Sequence, residues 1–180
     1  ARYLQALGTQ EEMPTGGYYG SYISELADEI MRQEGERFVH ISKPEAIKEV
    51  GAIARRLMLN NIKEALKRLR VEFDSWFTEQ SLFESKEYDE TMNLLSNKGY
   101  IILRDGALWF TSSNLGDDKD NVVVRSSGLP TYFASDIAYH HNKLIKRGFD
   151  QAINIWGADH QGHVDRIKAA LTALEIDPGK

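Results

Sequence analysis

Apolar residues recur every three or four positions between residues 43 and 70: Ile47, Val50, Ala54, Leu57, Met58, Ile62, Leu66 and Leu69. That spacing puts them on one face of a long helix. Ser42 stands at the cap position, with Pro44 and Glu45 in the first turn, and so predicts where the helix starts. Upstream, residues 1–35 read as two short helices around a loop, Met13–Gly20, in which Pro14 and three glycines break any periodicity. Ser21 is placed to cap a helix over Tyr22–Gln33, and Gly35 to stop it.

Beyond residue 70 the pattern changes. Val71–Phe77 is apolar and aromatic-rich, which predicts a strand. Ser85 is expected to cap a helix that runs to Lys98 and stops at Gly99. Tyr100–Arg104 and Ala107–Thr111 flank Asp105-Gly106, a hairpin signal because both turn positions need positive φ. Leu115–Asn121 reads as a polar loop and Val122–Arg125 as a third strand. Leu129-Pro130-Thr131 opens a helix over 132–147 that closes near Gly148. Ala152–Trp156, a short apolar run between turn residues, predicts a buried strand, and a helix over 161–174 follows. Helices first and then strands mixed with helices indicate an α/β protein. The expected division is a mainly helical region over 1–70 and a second region over 71–180, with the hairpin at about 100–126.

Composition narrows the class. The chain has 180 residues, 42% hydrophobic and 27% charged, ordinary for a globular protein of one or two domains. No run of 18 apolar residues occurs and no secretory signal opens the chain, so no membrane partner is implied. Cysteine is absent, which excludes disulfides and thiolate metal sites and fits the cytoplasm. The net charge of −5 gives no overall nucleic-acid footprint, and DNA is not an expected partner. Helix 43–70 is the exception. It carries eight basic against three acidic side chains, +5, which leaves −10 for the rest of the chain. Its face could meet an RNA backbone or simply be solvated. The chain opens on Ala1 rather than Met and ends on Asp177-Pro178-Gly179-Lys180 just after a helix, so both ends are expected to be cut from a longer protein.

Candidate chemistry concentrates after residue 131. Tyr132 and Asp136 lie four residues apart and share a helix face, which Tyr139, His140 and Lys143 continue. Phe133, Ile137 and Leu144 occupy another face and can anchor the helix. A carboxylate beside a phenol suits a guanidinium or ammonium group, which Asp136 could hold through two charge-assisted hydrogen bonds. The alternative is that Asp136 pairs internally with Lys143, Lys146 or a neighbouring loop. Trp156-Gly157-Ala158-Asp159-His160 follows the predicted strand, where open α/β sheets bind ligands. There Gly157 permits close approach and Asp159 could accept from ribose hydroxyls, unless Asp159 only caps the next helix. Asp159, His160 and His163 also invite a metal reading, but adjacent residues diverge on a helix and no third ligand is evident. The acidic run Gly116–Asp120 lacks the spacing of a calcium loop and reads as a hydrated connection.

Several blocks together resemble one family. Phe73-Asp74-Ser75-Trp76-Phe77-Thr78-Glu79, Asp105–Phe110, Gly116–Asp120, Thr131–His140 and Trp156–His160, preceded by Gly17-Tyr18-Tyr19-Gly20-Ser21-Tyr22-Ile23, stand in the order found in bacterial arginyl-tRNA synthetases. The resemblance covers nearly the whole chain. It implies a class I synthetase that activates arginine with ATP and Mg2+ and transfers it to tRNA(Arg), built on a Rossmann-type sheet that is only partly present here, with a largely helical N-terminal insertion region. It implies that Tyr132 and Asp136 hold arginine, with His140 beside them and either Gln161 or His160 as a further amino-acid or ribose contact, and that Gly157, Asp159 and His160 line the adenylate side. It also implies that no editing site is needed, because a carboxylate left unpaired rejects ligands without the cation.

The chain departs from that family pattern by lacking the His-x-Gly-His and Lys-Met-Ser-Lys-Ser-like elements; Val39-His40-Ile41-Ser42-Lys43 is not the first of them. The catalytic residues are therefore expected outside these 180 residues, and the isolated chain is expected to be inactive. The rival readings are an RNA-binding module on helix 43–70 and a metal-dependent hydrolase on Asp159, His160 and His163.

Overall fold

The computed structural model describes residues 1–180, which divide into two units, Ala1–Ser75 and Trp76–Lys180. The first unit is helical: α1 (Arg2–Ala6), α2 (Ser21–Glu34), a 3-10 turn (Arg37–Val39) and α3 (Lys43–Arg68). Its core is small. Tyr3, Ile30 and Phe38 are buried, and Val50, Ile53, Ala54 and Leu57 of α3 pack against them. The rings of Tyr3 and Phe38 meet edge to face at 5.5 Å, a favoured aromatic geometry. The predicted stripe of α3 is thus real only in part, since Ile47, Ile62 and Leu69 are exposed and no residue of the helix is fully buried. Ser42 is the N-cap of α3 but makes no side-chain capping bond, so the anticipated capping box does not form. Gly20, not Ser21, is the N-cap of α2. A Cβ on Gly20 would lie 2.5 Å from the Tyr22 ring, so the position suits glycine.

The second unit is mixed. It runs α4 (Glu79–Glu84), α5 (Glu87–Asn97), β1 (Ile101–Arg104), β2 (Ala107–Phe110), a 3-10 turn (Ser112–Leu115), β3 (Asn121–Val124), α6 (Tyr132–His141), a π-turn (Asn142–Lys146) and α7 (His163–Ala173). The strands form one antiparallel sheet in the order β1-β2-β3. Ile101 pairs with Phe110 and Arg104 with Ala107, so the hairpin turns at Asp105 and Gly106, with φ of 53° and 73°. Leu82, Leu95, Phe110, Val123, Ile137 and Ala170 lie at the centre of the core, joining α4, α5, the sheet, α6 and α7. The protein is therefore mixed α/β.

Several expected elements differ. Val71–Phe77 forms no strand. Its aromatic residues favour a pleated surface, but no strand pairs with it. The helix expected from Ser85 to Lys98 is two helices, because Lys86 takes φ +66° and breaks the chain between α4 and α5. Ala152–Trp156 is neither a strand nor buried: Ile153 is 79% and Ile155 93% exposed. The helix over 132–147 gives way after His141 to the π-turn, closed by the Arg147 amide donating to the Asn142 carbonyl at 2.8 Å. Helix α7 starts at His163, two residues later than the pattern suggests.

Candidate functional site

Helix α6 is fixed at its N-terminus by one side chain. The Thr131 hydroxyl accepts from the Ala134 amide at 3.4 Å and donates to the Val122 carbonyl at 2.9 Å, tying the helix to β3. Phe133, Ala134, Ile137 and Ala138 then turn into the core. That leaves Tyr132 exposed and Asp136 half-buried on the outer side, one turn apart.

Asp136 forms no internal ion pair. The cations that could have claimed it are engaged elsewhere: Lys143 Nζ donates to Asn154 Oδ1 at 3.0 Å, and Lys146 pairs with Glu90 at 2.9 Å. Burial raises the Asp136 carboxyl above the ordinary aspartate range, against the opposing pull of His140, His163 and Arg166. Both histidines have depressed pKa values, chiefly from burial, so the positive charges that bear on Asp136 are those of Arg166 and Lys143. The Arg166 guanidinium lies 4.8 Å over the Phe133 ring, and its Nε is buried without a hydrogen-bond partner.

The same electrostatics bring in a residue with no local sequence relation to Asp136. Glu79, the first residue of α4, adds negative potential at Asp136. Phe77 stacks on Tyr139 with ring centroids 4.4 Å apart, which carries the start of α4 across to α6. Glu79, Tyr132, Ser135 and Arg125 line a cavity of about 440 Å³ beside the helix N-terminus. Asp136 does not line this cavity; it lies one turn further along.

His140 is turned inward. It is 4% exposed, with Nδ1 2.7 Å from the Asp136 carbonyl oxygen and Nε2 2.9 Å from Asn154 Nδ2. Both ring nitrogens are therefore occupied, and burial lowers its pKa, which favours the neutral ring.

The turn after residue 156 is open. Gly157, Asp159, His160 and Gln161 are all exposed. Gly157 has an ordinary φ of −65°, and a Cβ there would meet Asp159 Oδ1 at 2.5 Å. Asp159 does not cap α7, whose N-cap is Gly162; it lies in a 3-10 turn, 3.5 Å from His160 Nε2. His160 presents its other nitrogen, Nδ1, to His163 Nδ1 at 3.4 Å. Asp159 and His163 thus meet opposite edges of one ring and cannot converge on an ion, and no group of three or more His, Asp or Glu side chains is placed to hold a metal. The acidic run at 116–120 is tied to its flanking residues: Asp120 accepts from the Ser113 hydroxyl at 2.6 Å and Asp117 from Asn121 Nδ2 at 2.6 Å.

The architecture has a solved counterpart. A Campylobacter jejuni structure, provisionally assigned as an arginyl-tRNA synthetase, superposes with a TM-score of 0.84 at 34% identity, over 99% of this chain and 39% of that one. The fold is that of a portion of an aminoacyl-tRNA synthetase. Curated arginine–tRNA ligases match along the sequence: those of Dehalococcoides mccartyi at 52% identity and Carboxydothermus hydrogenoformans at 51%, each over 99% of this chain and 32% of the relative. No family model matches. The chain belongs to the arginine–tRNA ligases and spans about a third of the length of the curated relatives it matches.

Proposed function

We propose that this chain supplies the amino-acid-holding wall of an enzyme that joins arginine to ATP as an adenylate and then to tRNA(Arg). The observation that carries this reading is Asp136: a half-buried carboxylate with no internal ion pair, one turn from an exposed phenol. A guanidinium brought to it would relieve the cost of keeping that carboxylate ionised, and each charge-assisted bond is about twice as strong as a neutral one. Tyr132 supplies the phenol, and Glu79 adds a second negative charge that biases the site toward cations. His140, with both nitrogens engaged, supports the helix from inside. Gly157, Asp159, His160 and Gln161 form the open turn proposed to face the adenylate, and ATP would arrive with Mg2+.

In this reading the residues over 152–156 complete a Rossmann-type sheet with strands that these 180 residues do not contain. Ala152 packs on the core, while the exposed Ile153 and Ile155 offer apolar surface for neighbouring strands to cover. The setting is the cytoplasm. No helix is long and apolar enough to cross a membrane.

The test is kinetic. In the protein that carries this chain, Asp136→Ala should raise the arginine KM or depress activation by about 2–5 kcal/mol, as for other truncated charge pairs. Unchanged kinetics would remove Asp136 from the site. The 180 residues alone, without the two phosphate-handling elements, should show no arginine-dependent ATP–pyrophosphate exchange.

A further inference from the structure

Asn154 is an exposed amide in the apolar segment 152–156, yet its side chain reaches back to α6. The hydrogen-bond network dictates why an amide stands there. His140 Nδ1 is 2.7 Å from the Asp136 carbonyl oxygen. A carbonyl only accepts, so Nδ1 carries the proton. Burial favours the neutral ring, in which Nε2 presents a lone pair and takes a donor. Asn154 Nδ2 lies 2.9 Å from it. At the other end of the amide, Lys143 Nζ is 3.0 Å from Oδ1 and can only donate. The polarity of the whole chain is therefore fixed: Lys143 donates to Asn154, Asn154 to His140, and His140 to the backbone of Asp136. Both ends of an exposed side chain are spent on groups of α6 and its π-turn.

We propose that Asn154 is a positioning residue: it donates to Nε2 of His140, whose Nδ1–H the Asp136 carbonyl fixes, and through that ring it joins the segment leading into the Gly157–His163 turn to the helical turn that bears Asp136. This rests on the reading that Asp136 holds the substrate cation. The segment has few other fastenings, chiefly the Ala152 amide donating to the Lys180 carbonyl at 2.8 Å and the packing of Ala152. The amide thus sets how the two walls of the site meet. The charged groups bearing on His140 are Asp136, which favours its protonation, and Lys143, which opposes it; Asn154 faces it from the segment.

Two measurements test the assignment. Nitrogen-15 NMR of the imidazoles in the 180-residue chain should show His140 with Nε2 unprotonated, and still neutral at pH of about 6.5, where a free imidazole is half-protonated. Asn154→Asp should replace the donor by an acceptor and move the His140 titration up by at least about one pH unit. A His140 midpoint unchanged in Asn154→Asp, or an Nε2 that carries the proton in the unsubstituted chain, would overturn the proposal. In the protein that carries this chain, Asn154→Leu should raise the arginine KM about tenfold through misplacement, with a smaller change in kcat. Asp136→Asn separates the two claims. If it raises KM while Asn154→Leu does not, the positioning role fails alone; if neither moves KM, the arginine reading has failed.

Discussion

Burial raises the Asp136 carboxyl, and the sign of that shift fixes a pH dependence. A guanidinium requires the ionised form. Its affinity should be full above the raised pKa of the empty site and fall about tenfold per pH unit below it. Calorimetric titration of arginine from neutral to acid pH should show this decline at a higher pH than an ordinary aspartate gives, and Asp136→Asn should abolish it. The pairing of Tyr132 with Asp136 was legible in the sequence because four residues make one helical turn. Glu79 was not, because no local spacing relates it to residue 136. Its approach depends on Phe77 stacking on Tyr139, a tertiary contact across 62 positions, 139 less 77. The inward turn of His140 was hidden for a similar reason: its partner Asn154 lies in a segment whose apolar neighbours draw the eye.

At the scale of elements, turn chemistry proved readable and pairing did not. Asp105-Gly106 carries its conformation in its residue types, and the hairpin forms there. Ala152–Trp156 has the composition of a strand, but a ladder also needs a neighbour, and the sheet over 101–124 offers it none. Two helix boundaries give tests. Thr131→Ala removes both the cap of α6 and its tie to β3, and should cost about 1 kcal/mol in denaturant unfolding. Lys86 pays for the break between α4 and α5 with a left-handed backbone. Lys86→Gly should relieve it and stabilise the protein by up to about 1 kcal/mol, read as a higher denaturation midpoint.

For the whole molecule, acid stability follows from histidines held neutral. Burial lowers the pKa of His140 and His141 below that of a free imidazole. Between the unfolded value, about 6.5, and the lower folded values, the unfolded chain binds more protons. Stability is therefore full above that window and lost as pH falls through it. Asp136, whose shift has the opposite sense, opposes this only where it titrates itself. Hydrogen exchange at neutral and mildly acid pH should show protection falling in Trp76–Lys180, which holds both rings, more than in Ala1–Ser75. The most direct test of the account compares arginine with citrulline, its uncharged near-isostere, by calorimetry on the protein that carries this chain. Arginine should bind, citrulline should bind at least about a hundredfold more weakly because Asp136 would be left half-buried and unpaired, and Asp136→Asn should remove the preference. Equal binding of the two ligands, or a preference that survives Asp136→Asn, would contradict it.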